Sequence, residues 1–176
     1  MGLDMYLYKR TYVGENDVEV LDTNTQERKT YNKVSYIIQE AMYWRKANAI
    51  HQWFVKNIQD GKDDCDSYYC SVDSLEELLN VCKKALKYKD EMLSLLEKIR
   101  ANDENALTND EEERLKSIKQ SLEEILPTQS GFFFGSTEYD EWYFQDLEYT
   151  VKNLEEIIKD YKSNDGWSSF EYHSSW

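Results

Sequence analysis

The sequence predicts an α+β fold: a small antiparallel sheet made from N- and C-terminal strands, packed by four helices that include a long helical hairpin. Three observations carry this. Leu3 to Arg10 alternates apolar and polar residues, the period of a half-buried strand. Most of the chain between residues 35 and 162 instead repeats apolar residues every three or four positions, as amphipathic helices do. The aromatic stretch Trp167 to Trp176, with Phe170 and Tyr172, suits a strand that pairs with the first one.

Taken in order, Val18 to Leu21 is a second short strand, and Gly14-Glu-Asn-Asp17 is the turn that would close a hairpin with Leu3 to Arg10. From about Ser35, the spacing of Ile37, Ala41, Trp44, Asn48, His51 and Val55 predicts a first helix that ends before Asp60-Gly61. Ser67 to Cys70 reads as a short strand. Ser71 or Asp73 then caps a long helix to about Arg100, with Leu75, Leu78, Cys82, Ala85, Met92, Leu96 and Ile99 on one face. Ala101 to Asn109 is a polar turn. Thr108 and Glu111 form a capping box ahead of Leu115, Ile118, Leu122 and Ile125, which makes the second arm of the hairpin.

Pro127 stops that helix. Ser136 or Thr137 caps a last helix with Phe144, Leu147, Val151, Leu154, Ile158 and Tyr161, whose 3,4 spacing resembles a coiled-coil seam and points to oligomerisation through it. Asn164-Asp-Gly166 turns the chain into the final strand. The whole reads as one domain, 1–176, with the helical hairpin 72–126 as a candidate extension.

Composition narrows the function classes. The formal net charge is −14, and it is uneven: residues 1 to 100 carry 17 acids and 15 bases, whereas 101 to 162 carry 16 acids and 6 bases. Such a field disfavours direct contact with nucleic acid or an anionic membrane and favours solubility or a basic partner, a solvated helical face being the commoner origin of such a charge run. No apolar run approaches the roughly 20 residues of a membrane span. Met1-Gly-Leu-Asp-Met-Tyr lacks the regions of a signal peptide, and Tyr6 stands where myristoylation needs Ser or Thr. A cytoplasmic location is expected. Cys65, Cys70 and Cys82 have no zinc spacing and read as reduced thiols. The acidic run Asp60 to Asp66 lacks the glycine and terminal glutamate of a calcium loop, so no metal and no cofactor is expected.

Two segments stand out as candidate chemistry. Leu126-Pro-Thr-Gln-Ser-Gly-Phe-Phe-Phe-Gly-Ser-Thr-Glu-Tyr-Asp140 places three adjacent phenylalanines between glycines that permit close backbone approach. Tyr43-Trp-Arg-Lys-Ala-Asn-Ala-Ile-His-Gln-Trp-Phe54, read as helix, sets Trp44, Asn48 and His51 one turn apart, with Arg45, Asn48 and Gln52 on the adjoining stripe. Folded together, they would make one pocket. Arg45 and the amides near Ser136 and Thr137 would hold a phosphate, Asn48 or Gln52 would read a base or amide edge with the His51 imidazole alongside, and Trp44, Phe133 and Tyr139 would stack on a base beside Gly135. The alternative reading has Arg45 meeting one of the many acids while Asn48 and His51 satisfy buried backbone groups. His51 with Glu138, Asp140 or Glu141 is the only general-base arrangement on offer, and no catalytic residue is assigned. His173 reads as a solvent-facing contact. No nucleophile elbow, phosphate loop or zinc-protease helix is present.

The opening Met-Gly-Leu-Asp-Met-Tyr-Leu, the Tyr43 to Phe54 segment, the Leu126 to Asp140 segment and the ending Phe170-Glu-Tyr-His together resemble a family of small uncharacterised bacteriophage and prophage proteins. The resemblance spans most of the chain except residues 83 to 124. It implies a phage-encoded protein acting in the cytoplasm of the infected bacterium and supplies no catalytic residues. The resulting expectation is an accessory protein that sequesters a small nucleotide-like host defence signal. The alternatives are an acidic protein-protein inhibitor, acting as a nucleic-acid mimic on a host enzyme, and a nucleotide-processing enzyme.

Overall fold

The computed structural model describes residues 2–101, 107–164 and 167–176. Its elements run β1 (Asp4–Leu21), β2 (Arg28–Arg45), α1 (Asn48–Asn57), β3 (Tyr68–Cys70), α2 (Val72–Leu86), α3 (Lys89–Ala101), α4 (Asn109–Ile125), α5 (Glu141–Asn164) and β4 (Ser168–Ser175). The four strands form one antiparallel sheet in the order β2-β1-β4-β3, so the α+β class is correct. β4 lies against β1 with Asp4 opposite Ser175 and Thr11 opposite Ser168, the pairing expected for the aromatic final strand. The expected turn at Asn164 to Gly166 falls partly on 165 and 166, outside the described residues, as does most of the Ala101 to Asn109 turn.

The N-terminal hairpin is much longer than its sequence suggested. β1 is continuous through Gly14 to Asp17, where the register shifts and Gly14 and Glu15 take φ of 74° and 56°. Those residues make bulges, which shift a strand without ending it. The reversal comes at Asp22, whose carboxylate accepts from the backbone N–H of Asn24 at 2.8 Å and of Thr25 at 3.2 Å. The expected first helix from Ser35 is corrected too. Val34, Tyr36, Ile37, Ile38 and Tyr43 belong to β2, because β-branched and aromatic side chains fit a pleated ribbon better than a helix. Helix begins only at Asn48.

Beyond Thr11 neither strand meets β4, and the hairpin continues as a two-stranded ribbon whose outer residues are mainly exposed. Within the sheet proper, Met5, Leu7, Met42, Trp44, Phe170 and Tyr172 are buried under the helices. The opposite face carries a ring cluster: Tyr6 stacks on Tyr8 at 5.8 Å and lies 5.2 Å from Tyr43 and 6.0 Å from His173.

Ser71 caps α2 by accepting from Ser74 N–H at 3.1 Å, and Thr108 with Glu111 forms the expected capping box. The single long helix to Arg100 is instead two, interrupted at Lys87 and Tyr88, so five helices are present among the described residues. Leu75, Leu78, Cys82, Met92, Ile118 and Leu122 join the same buried cluster as the sheet residues. Burial pushes the Cys82 thiol up to about 12, in keeping with a packing role. On α5, Phe144, Leu147, Leu154 and Ile158 are buried in that cluster. The 3,4 seam is therefore packed within the chain. Among the described residues no helix is long and apolar enough to cross a membrane, and no group of three acids, histidines or cysteines is placed to hold a metal.

Candidate functional site

The organising contact of the site is the side chain of Asn48, the first residue of α1. Its Nδ2 donates to the carbonyls of Phe134 (3.1 Å) and Ser136 (2.7 Å), and its Oδ1 accepts from Gln129 N–H at 3.2 Å. One buried amide thus fastens the loop between α4 and α5 at three points. Gly135 makes the approach possible: it has φ of 94°, and a Cβ there would lie 3.3 Å from Cβ of Lys46 and 3.4 Å from its carbonyl oxygen. The glycine-phenylalanine segment and the Asn48 region do fold against each other, as the sequence suggested, but through backbone clamping. Asn48 has no donor left over for a ligand.

A cleft of about 270 Å³ lies where this loop, α1 and the start of α5 meet. Its basic wall is Arg45 and Lys46, both exposed, followed by Ala49 and Ile50. α1 has no side-chain cap at its N-terminus. Asn48 N–H turns back to Lys46 O at 2.8 Å and His51 N–H bonds to Ala47 O, whereas the amides of Ala49 and Ile50 have no acceptor among the described residues. Both residues are at most 5% exposed. Uncapped, buried helix N–H groups carry partial positive charge and call for an acceptor.

The opposite wall is acidic and aromatic: Glu138, Asp140, Asp146, Trp142 and Tyr143. Asp140 caps α5, accepting from Trp142 N–H at 3.0 Å and Tyr143 N–H at 3.2 Å. This moves the cap three to four residues beyond the expected Ser136 or Thr137, whose amides are not helix-terminal. Asp146 has no hydrogen-bonding side-chain partner among the described residues. Its carboxyl is pushed up to about 7, first by burial and then by the charge of Asp140. Trp142 leaves its indole 70% exposed at the mouth.

The expected site residues divide accordingly. Arg45, Asn48, Gly135 and Ser136 line the cleft. Trp44 does not: it lies in β2, buried, with Nε1 donating to Thr150 Oγ1 at 2.9 Å and its ring at an angle to Phe54. His51 is fully buried, with Nδ1 2.7 Å from the Tyr172 hydroxyl and Nε2 3.0 Å from Asp63 Oδ1. Desolvation lowers its pKa, against the opposing pull of Asp63. Both nitrogens are occupied and none of Glu138, Asp140 and Glu141 is its partner, so that general-base pairing is not formed. Glu141 instead pairs with Arg100. Thr137 offers only its carbonyl, to Thr128 Oγ1 at 2.9 Å. Tyr139 packs edge-on against Tyr143 at 4.9 Å, behind the cleft. Phe133 is exposed on the surface next to the cleft and does not line it.

Sequence reasoning missed Lys46, the Ala49 and Ile50 amides, Trp142 and Asp146. A signal for the amides was present: Ala47 stands where a helix start would normally show Ser, Thr, Asp or Asn. No protein-family model matches the chain, and neither curated proteins nor solved structures give a match.

Proposed function

We propose that the protein binds and sequesters a small nucleotide-like anion in the cleft between α1, the 128–138 loop and the start of α5. The observation that carries this reading is the uncapped α1 N-terminus, where Ala49 and Ile50, whose amides have no acceptor among the described residues, line a cavity alongside Arg45 and Lys46. A phosphate supplies the acceptors those amides lack and takes a forked contact from the guanidinium. At the other end Trp142 offers a stacking surface, and Asp146 accepts from the N–H donors of a base edge. The ligand is therefore polarised, anionic toward α1 and donor-rich toward α5.

Binding is favoured over turnover because His51, the one imidazole near the site, is held on both sides by Tyr172 and Asp63. With the phage resemblance, the occupant becomes a host-derived nucleotide signal that capture removes from solution. An acidic nucleic-acid mimic draws less support. Many acids of the helices sit in ion pairs within the chain, among them Glu111 with Lys98, Glu148 with Lys89 and Glu155 with Lys83.

The test is to incubate the protein with a bacterial nucleotide extract, denature it, and identify the released molecule. Release of an intact nucleotide-type compound is expected. Arg45→Ala should weaken its binding about tenfold, roughly 1.4 kcal/mol, without moving the melting temperature. An empty cleft after extract incubation, or unchanged affinity in both Arg45→Ala and Trp142→Ala, overturns the reading.

A further inference from the structure

The cleft does not end at Lys46. A Cβ placed on Gly2 would lie 3.3 Å from Cε of Lys46, 4.0 Å from Nη2 of Arg45 and 4.0 Å from the carbonyl oxygen of Phe133. The basic wall thus runs directly into the phenylalanine turn. Within that turn the three rings have opposite fates. Phe134 is buried, edge-on to His51 at 5.3 Å and to Trp176 at 6.0 Å. Its N–H bonds back to Gly131 O, and Gly131 has no room for a side chain, since a Cβ would meet the Phe134 ring at 2.4 Å. Anchoring Phe134 turns Phe132 and Phe133 outward, to 82% and 48% exposure, with their ring centroids 4.2 Å apart. Two adjacent rings, tilted by 60° to each other, are thus presented to solvent, and the Phe133 carbonyl borders the same Gly2 backbone that meets Lys46 and Arg45.

From this continuity we propose that the ligand carries two nucleobases joined through phosphate, a dinucleotide. This rests on the cleft reading above. One base occupies the cleft against Trp142 and Asp146, the linking phosphate meets the Ala49 and Ile50 amides with Arg45 and Lys46, and the second base stacks on Phe133. Two features fix the length. A cleft of about 270 Å³ holds one nucleotide and leaves a second outside. The net charge of −14 opposes each further phosphate, so a long strand gains stacking only against growing repulsion.

The test titrates the full chain with guanylate and adenylate, with their linear dinucleotides, and with a tetranucleotide, at low and moderate salt. The dinucleotide is expected to bind at least tenfold tighter than the mononucleotide. Phe133→Ala should bring the dinucleotide down to mononucleotide affinity while leaving mononucleotide binding in place, and Phe133→Trp should restore the difference, which separates stacking from loss of fold. Equal affinity for the two lengths, or equal weakening of both by Phe133→Ala, overturns the second base site and leaves the cleft reading standing. A tetranucleotide that binds tightest shows a strand-tracking surface and overturns the dinucleotide assignment. Absence of binding to every probe removes both readings.

Discussion

His51 and Asp63 lie twelve positions apart in sequence, and their side chains meet at 3.0 Å, Nε2 to Oδ1, with no exposure at all of the imidazole. The other imidazole nitrogen reaches Tyr172 and the other Asp63 oxygen accepts from Gln129 Nε2 at 2.8 Å. A chain of polar contacts thus runs from β4 through α1 to the loop that borders the cleft. Removing the Tyr172 hydroxyl leaves the buried Nδ1 of His51 without its partner. Tyr172→Phe should cost about 1–3 kcal/mol in denaturant unfolding. The pH dependence has a definite sign. Because the folded state holds His51 below its unfolded value near 6.5, the unfolded chain binds more protons there, and this group's stability contribution is lost as pH falls from about 6.5 through the folded value. His51→Gln should flatten that part of a stability profile; an unchanged slope contradicts the assignment.

Asp146 has the opposite sign. Its carboxyl titrates near 7 in the folded chain and near 4 unfolded, so the folded state binds the extra proton and stability falls as pH rises between those values. Asp146→Asn should therefore stabilise the ligand-free protein at pH 8, on the order of 2 kcal/mol, while weakening ligand binding. Melting curves at pH 5 and pH 8 measure it: the gain should appear at pH 8 and shrink at pH 5.

Asn48→Ala removes three hydrogen bonds that fasten the 129–136 segment. The expected cost is about 2–4 kcal/mol, since the freed carbonyls and amide are partly or wholly buried. Amide hydrogen exchange gives the local readout. Gln129 N–H should exchange far faster in the variant, whereas the amides of β4 should change only by the global loss.

The distal ribbon contributes little to the core. Replacing residues 14–34 by a two-residue Asn-Gly turn, which keeps the Tyr12–Tyr36 register, should preserve the α/β circular dichroism pattern and shift the melting temperature by only a few degrees, because a two-stranded ribbon exposed on both faces is marginal by itself. Collapse of the fold in this variant would mean that the ribbon helps hold the sheet.

The sheet was legible where one face is buried, at Leu3 to Arg10 and Trp167 to Trp176, because burial imposes alternation. It was illegible in β2. There Ile37, Ala41 and Trp44 happen to repeat at helical spacing, and a bulge at Ala41, opposite the Leu7–Tyr8 step of β1, disrupts the two-residue period. The Thr108 and Ser71 caps were legible because capping is local chemistry. The break at Lys87 and Tyr88 carries no glycine or proline to announce it. Of the site, the meeting of the Asn48 and Phe134 segments was readable from their unusual composition. Which side chains face the cleft was not, since that depended on β2 ending at Arg45 and on α5 starting at Glu141.

The pairing of β1 with β4 has a kinetic side. Thr11 and Ser168 are 157 positions apart, so the partner that covers one edge of the central strand emerges from a ribosome long after the β1–β2 hairpin. Until then the β1 edge that β4 pairs, from Asp4 to Thr11, carries unpaired backbone groups. A sheet closed by so distant a contact folds slowly, and its nascent form offers chaperones a defined target.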